Sequence, residues 1–177
     1  MKPAGSECLV LIALGSNLGD GPALVRAAMG ELQQWAVGRI RRSSLWRSLP
    51  VDCPPGSPPF INAAVALVPR PGETPETLLG KLQALERKFG RRPKKVHNEP
   101  RPLDLDLIAF GRATRRGATL TLPHPRAHLR RFVLGPLAEI APGHRLPRRR
   151  RTLRQLLAAL PRQQEGGTVR HSRRARR

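Results

Sequence analysis

Cys8 to Leu14 form a continuous apolar run that ends in Gly15-Ser16-Asn17. A short run without polar alternation, closed by turn-forming residues, predicts a buried central strand. Asp20 stands where a helix N-cap belongs, and Leu24, Ala28, Leu32 and Trp35 mark one face of the helix it would open. Residues 38–47 predict a second strand with a charged, partly exposed face. The Pro-rich stretch 48–59 is a loop, because proline removes the donors that regular structure needs. Phe60 to Val68 resume as a strand, broken only by the polar Asn62. Thr74 as N-cap and Pro75 behind it open a further helix with Leu78, Leu82, Leu85 and Phe89 as its stripe and Gly90 as its stop. Glu86 lies beside that stripe, which directs it toward the sheet.

After a basic, Pro-bounded loop (residues 91–100), a strand is predicted over 102–110, a basic turn follows, and a short strand spans 118–122. The apolar segment 133–140 has no clear period, and a short helix is predicted over 152–160. The order β-α-β-β-α-β predicts an α+β domain: a ferredoxin-like antiparallel sheet with helices packed on one face, plus a short C-terminal helix and a basic tail. The domain is expected to cover residues 1–160. Residues 161–177 form the tail, whose low hydrophobicity and high charge favour disorder.

Charge changes this picture most. Thirty-three Lys and Arg stand against twelve Asp and Glu, a formal net charge of +21. Such a balance calls for an anionic partner. Residues 145–177 alone hold twelve arginines and one acid, Glu165, so the tail is expected to contact nucleic acid or other polyanions without specificity. Two cysteines without metal-ligand spacing fit a reduced, cytoplasmic protein. The apolar N-terminal run is short for a signal peptide and follows Glu7, and no segment approaches the ~20 apolar residues that cross a membrane, so no membrane partner is expected.

Two acids break the last long strand. Strand periodicity puts Asp104 and Asp106 on one face and Leu103, Leu105 and Leu107 on the other. Same-side carboxylates repel unless a cation lies between them, and Mg²⁺ is often held by one or two carboxylates together with substrate phosphates. On spacing alone, two acids each paired with an arginine fit equally well. Arg91, Arg92, Lys94, Lys95, His97 and Arg101 precede the pair, and His124, Arg126, His128, Arg130 and Arg131 follow it. Arginines clamp the oxygens of a transferring phosphoryl group. No P-loop is present, and Pro125 breaks the helix that a His124/His128 zinc pair would need.

Read together, several segments resemble the 6-hydroxymethyl-7,8-dihydropterin pyrophosphokinases of folate biosynthesis. They are LGSN at 14–17, FINAAVAL at 60–67, Gln83 with Glu86, Gly90-Arg91, PRPLDLD at 100–106, LPH at 122–124, Arg130 with Phe132, and PLAEIAP at 136–142. The resemblance implies transfer of diphosphate from ATP, the co-substrate, to the pterin 6-hydroxymethyl group, releasing AMP. It also implies two Mg²⁺ ions held by Asp104 and Asp106, with Arg91 and Arg101 joining those aspartates as catalytic residues. By the same match, Phe60, Asn62 and Phe132 hold the dihydropterin, with backbone contacts around Ser48 and Val51. Gln83, Glu86, Thr121, His124 and Arg130, together with Arg91 and Arg101, fall around ATP. A monomer is expected.

The sequence departs from the family at Asn98-Glu99-Pro100-Arg101, where many members carry Trp-Gly-Pro-Arg. That change removes an aromatic lid and adds a carboxylate near the triphosphate. Two rivals stand beside this reading: an RNA-binding ferredoxin-like module, and a phosphotransferase with another acceptor alcohol. The first is disfavoured by the absence of tyrosine and of exposed aromatic signatures.

Overall fold

The computed structural model describes residues 8–50, 53–93 and 99–161. Val51, residues 94–98 and the tail beyond Pro161 lie outside the described residues. The central strand is β1 (Val10–Ser16), paired antiparallel on one side with β4 (Phe60–Leu67) and on the other with β5 (Asp104–Phe110). Two short edge strands, β2 (Arg41–Arg42) and β3 (Trp46–Ser48), both pair with β4, so the sheet runs β2/β3–β4–β1–β5.

The predicted strand over 38–47 is therefore split. Arg42 faces Val65 and Trp46 faces Asn62, which leaves one extra residue on the edge strand, a bulge. Ser43 fills the gap: its N–H donates to the Ala64 carbonyl at 2.9 Å, and its Oγ accepts from the Ala64 N–H at 2.8 Å.

Helices cover both faces of the sheet, not the single face expected. On one side, α1 (Gly21–Gln33) and α2 (Pro75–Lys88) pack on Val10, Ile12, Leu14, Val65 and Leu107. On the other, α3 (Arg131–Ile140) and α4 (Leu153–Ala159) close over Leu11, Ala13, Ala64, Ala66 and Ile108. The alanines of that second face let α3 approach closely. The reason for two covered faces is visible in β1 itself, whose unbroken apolar run leaves no side for water.

Helix α3 is the element that periodicity did not show. Val133, Leu134, Gly135, Pro136 and Leu137 are all buried, so the middle of the helix shows no polar position to mark a period, and Pro136 sits in its interior. The other helices match expectation with small shifts. Asp20 caps α1 by accepting from the Ala23 N–H at 3.0 Å, but the buried face is Val25, Ala28, Met29 and Leu32, and the helix ends before Trp35. Thr74 caps α2, and Leu78, Leu82 and Leu85 are its buried stripe. Thr152 caps α4 with Gln155 reaching back. The predicted strand over 118–122 reduces to a hairpin of β6 (Arg115–Arg116) and β7 (Thr121–Leu122). Among the described residues, no helix is long and apolar enough to cross a membrane.

Candidate active site

A cleft of about 530 Å³ opens where the end of β1 lies between the starts of β4 and β5, and the start of α3 forms its far wall. In the antiparallel register Gly15 stands opposite Asn62 on one side and Asp104 on the other, while Ala13 stands opposite Asp106. Directly paired residues project to the same face. Asn62, Asp104 and Asp106 thus share one floor, with Gly15 at its centre. A Cβ at Gly15 would come within 3.7 Å of Asn62 Oδ1 and Phe60, and within 3.9 Å of the Asp104 side chain. Glycine keeps that floor open.

The carboxylates are differently placed. Asp104 accepts from Arg91 Nη1 at 2.7 Å and faces Arg101 Nε at 3.6 Å. Arg91 also bonds Glu86, which accepts from the Leu105 N–H at 2.7 Å and so ties α2 to β5. Gly90, at a φ of +90°, turns the chain after α2 so that the Arg91 N–H returns to the Glu86 carbonyl at 3.0 Å. Burial pushes the Glu86 carboxyl up to about 7, against the opposing pull of the Leu105 N–H and the Arg91 charge. Asp106 is pushed up to about 6, first by burial and then by the charge of Asp104, although Arg130, Arg101 and Arg91 oppose the rise.

Two carboxylates share one face of β5, and Asp106 is raised first by burial and then by its neighbour's charge, so a further cation between them would stabilise both. This fits a divalent cation at the Asp104/Asp106 pair. Among the described residues no group of three or more His, Cys, Asp and Glu side chains is placed to hold an ion. An ion at this pair would therefore complete its oxygen shell with water and phosphate, as Mg²⁺ commonly does.

The cationic side is made by Arg91, Arg101, Arg126, Arg130 and Arg131, all lining the cleft. The Arg101 Nε is buried and has no hydrogen-bond partner among the described residues. Arg130, the cap residue of α3, lies over the Phe132 ring at 5.6 Å from its centroid. Burial, and then the charges of Arg130 and Arg126, push His124 down to about 4, so at neutral pH it faces the cleft as an uncharged imidazole.

Part of the cleft lining carries no charge. Phe60, Asn62, Ser48 and Phe132 form it, and the Asn62 amide donates to Ser48 Oγ at 2.7 Å. Gln83 and Glu86 reach the cleft from α2, whereas Thr121 on β7 is not among the lining residues. Its hydroxyl donates instead to the Gly117 carbonyl at 3.3 Å. Of the flanking cations, Arg92 and His128 do not line the cleft either; every other catalytic, metal, pterin or ATP candidate among the described residues does, and Val51 lies outside those residues.

Two contributors escaped sequence reasoning. Gly15 matters through what it lacks, and Asn17 through a staple between elements. Asn17 Oδ1 accepts from the Arg101 N–H at 2.9 Å, its own N–H donates to the Arg101 carbonyl at 3.2 Å, and its Nδ2 donates to Pro58 at 3.4 Å. The signal was the short Gly-Ser-Asn motif, too common to weigh by itself.

Same-face carboxylates opposed by guanidinium groups, beside a slot with an amide and two phenyl rings, define a site of the phosphoryl-transfer class. The chain matches the 7,8-dihydro-6-hydroxymethylpterin-pyrophosphokinase family over residues 11–142 and belongs to that family. It is 41% identical over 147 residues to the 2-amino-4-hydroxy-6-hydroxymethyldihydropteridine pyrophosphokinase of Synechocystis, covering 83% of this chain and 73% of the relative. The Pseudomonas aeruginosa protein of the same name is 39% identical over 153 residues, covering 86% of this chain and 91% of the relative. The chain also matches the mitochondrial folate synthesis bifunctional protein of Arabidopsis thaliana at 37% identity, where it spans only 24% of that longer protein. In structure it resembles the wild-type Plasmodium falciparum HPPK-DHPS with pteroate, with a TM-score of 0.65 and 13% identity over 85% of this chain and 42% of that one.

Proposed function

We infer that this chain transfers diphosphate from ATP to the hydroxymethyl group of 6-hydroxymethyl-7,8-dihydropterin in folate biosynthesis. The pterin hydroxyl oxygen bonds to the β-phosphorus of ATP, the bond from that phosphorus to the α,β-bridging oxygen breaks, and AMP leaves while the hydroxyl proton is released. The observation that carries this reading is the meeting, in one cleft, of the Asp104/Asp106 pair, the arginine cluster and the Asn62 slot.

Asp104 and Asp106 would hold Mg²⁺, two ions by likeness to the family, and the metal would supply neutralisation of the phosphate charge. Arg91, Arg101 and Arg130 grip the phosphate oxygens, and neutral His124 offers a hydrogen bond without adding charge. Gln83 and Glu86 belong to the ATP side, whereas Thr121, outside the cleft, is left without a contact there. Phe60 and Phe132 offer ring faces to the flat pterin, Asn62 offers its amide, and Ser48 and Val51 frame the slot. Little covalent chemistry is required of the protein, so positioning and charge supply most of the rate. The βαββαβ order and the strand order β2/β3–β4–β1–β5 support a ferredoxin-like description of the domain, which ends near residue 160. The enzyme acts as a cytoplasmic monomer.

The decisive measurement mixes the protein with Mg-ATP and the dihydropterin and follows the nucleotide product. AMP is expected; ADP, or no consumption, would overturn the reading. The RNA-module alternative is further weakened because both faces of this sheet carry helices, leaving no open face for base stacking.

A further inference from the structure

The short strand β3 lies behind the slot, and its hold on the protein is unusual for so small an edge element. It has three residues and pairs only with β4, Trp46 against Asn62 and Ser48 against Phe60. Such a strand is weakly held by its ladder alone. Its further anchor is α3. The Trp46 ring presses directly on the backbone at Gly135, where a Cβ would meet three ring atoms at 2.6, 2.8 and 3.0 Å. Only glycine allows that contact. One turn further along α3, the Glu139 carboxylate accepts from Trp46 Nε1 at 3.1 Å, from the Ser44 N–H at 3.0 Å and from Ser44 Oγ at 2.7 Å.

What β3 carries reaches the site. Ser48 Oγ and, more weakly, the Trp46 carbonyl at 3.5 Å both accept from Asn62 Nδ2. Two acceptors on one side fix the amide, so the nitrogen faces β3 and Oδ1 is turned toward Gly15 and the cleft floor. Phe132 lines the same cleft from the first turn of the helix that grips Trp46. Trp46 thus joins the strand that carries Asn62 to the helix that carries Phe132.

We propose that Trp46, seated on Gly135 and tethered by Glu139, is a positioning residue that fixes β3 and the start of β4 against α3 and so holds the Asn62 carbonyl oxygen toward the ring edge of the acceptor. It acts on recognition of the flat acceptor and not on the nucleotide. The split follows from what is anchored where. Helix α3 keeps its own hold through Val133, Leu134 and Leu137, which are buried in the second core. Arg91, Arg101 and Asp104 depend on α2, β5 and each other. Loosening Trp46 therefore frees β3 first, and with it Ser48 and Asn62. The inference rests on the pyrophosphokinase reading and extends it by a specificity determinant outside the substrate contacts.

The test compares W46F, which keeps a ring against Gly135 but loses the tether, with E139Q, which presents an amide donor to three donors. G135A, which forces the ring away, is the third variant. Equilibrium binding of 6-hydroxymethyl-7,8-dihydropterin, in the presence of Mg²⁺ and a non-hydrolysable ATP analogue, is measured beside binding of that analogue alone. Urea midpoints are recorded for each variant. Acceptor affinity is expected to fall about 5- to 30-fold in W46F and E139Q, with nucleotide affinity within about 2-fold of wild type. G135A is expected to lose more acceptor affinity and some stability. Equal losses for both ligands would mean general loosening, and unchanged acceptor affinity would mean no positioning role; either overturns the proposal. A wild-type protein that forms no AMP overturns the function and this inference together, whereas an active wild type with either of those variant outcomes overturns the inference alone.

Discussion

Asp104 and Asp106 sit two residues apart on one strand, yet their surroundings give them unequal parts. Asp104 is engaged by Arg91 and Arg101, and Asp106 is buried beside it with its carboxyl pushed up by burial and by that neighbouring charge. Substitution should separate these roles. Asp104→Asn and Asp106→Asn are each expected to slow AMP formation at least about 1,000-fold in single-turnover assays. Their stabilities should diverge without Mg²⁺ at neutral pH. Asp106→Asn removes a charge that burial disfavours and should hold or raise the urea midpoint. Asp104→Asn leaves Arg91 and Arg101 short of a partner and should lower it. Substantial turnover in both variants would place the metal elsewhere.

His124 gives a pH signature at the same scale. Burial, then Arg130 and Arg126, push its imidazole down to about 4, against an ordinary value near 6.5. The unfolded chain therefore binds a proton in the interval between them that the folded chain does not. The sign follows: this group's contribution to stability is whole above about pH 6.5 and is lost as pH falls toward about 4. His124→Gln should abolish it, so the variant gains on wild type in urea midpoint when both are moved from pH 7.5 to pH 5. An unchanged difference would mean that the imidazole is as solvated folded as unfolded. The sequence disclosed the polar members of this site because acids, arginines and histidines stand out in an apolar context. It did not disclose Gly15, since a residue that works by leaving space has no chemistry to recognise.

Between elements, contacts far apart in sequence decide the geometry. Asn17, at the end of β1, is buried and bonds the Arg101 backbone through both its side chain and its main chain, and its amide also reaches Pro58. It fastens the approach to β5 and the loop before β4 to one point. Asn17→Ala should leave the Arg101 N–H unsatisfied and cost about 1–3 kcal/mol in urea unfolding. It should also weaken nucleotide binding by releasing Arg101, a loss that titration with an ATP analogue would measure. Intact nucleotide affinity with lowered stability would make Asn17 a structural staple only. At this scale the sequence was legible wherever an element carried its own signal: the Asp20 and Thr74 caps, the stripe of α2, the alternation of β5. It was not legible for α3, whose five middle residues are all buried with Pro136 among them, nor for the bulge that splits β2 from β3, where a Ser43 hydroxyl stands in for a ladder bond. Both features depend on partners that local periodicity does not contain.

Across the whole molecule, charge is distributed by face. Among the described residues, ion pairs outside the cleft are Lys81–Glu73, Lys88–Glu31 and Arg115–Glu76, which involve α1, α2, the residue before its cap and β6. Residues 145–154, around the start of α4, hold six arginines and no acid. With a net charge of +21, self-repulsion competes with those few exposed pairs. A single like-charge pair ~15 Å apart in water costs only ~0.3 kcal/mol, but many such pairs accumulate. Exposed ion pairs contribute about 0–1 kcal/mol each. Repulsion should therefore dominate, and screening should stabilise the fold. Raising NaCl from about 10 to about 150 mM shortens the screening length from ~30 to ~8 Å and should raise the urea midpoint at pH 7.5. Sulfate at matched ionic strength separates two causes. An equal rise means general screening of the arginine-rich face. A larger rise means that a tetrahedral anion also occupies the guanidinium cluster of Arg91, Arg101 and Arg130, and Arg101→Gln should then remove only the excess. A midpoint that falls with salt would mean that the local pairs, not the net charge, govern the molecule's electrostatics.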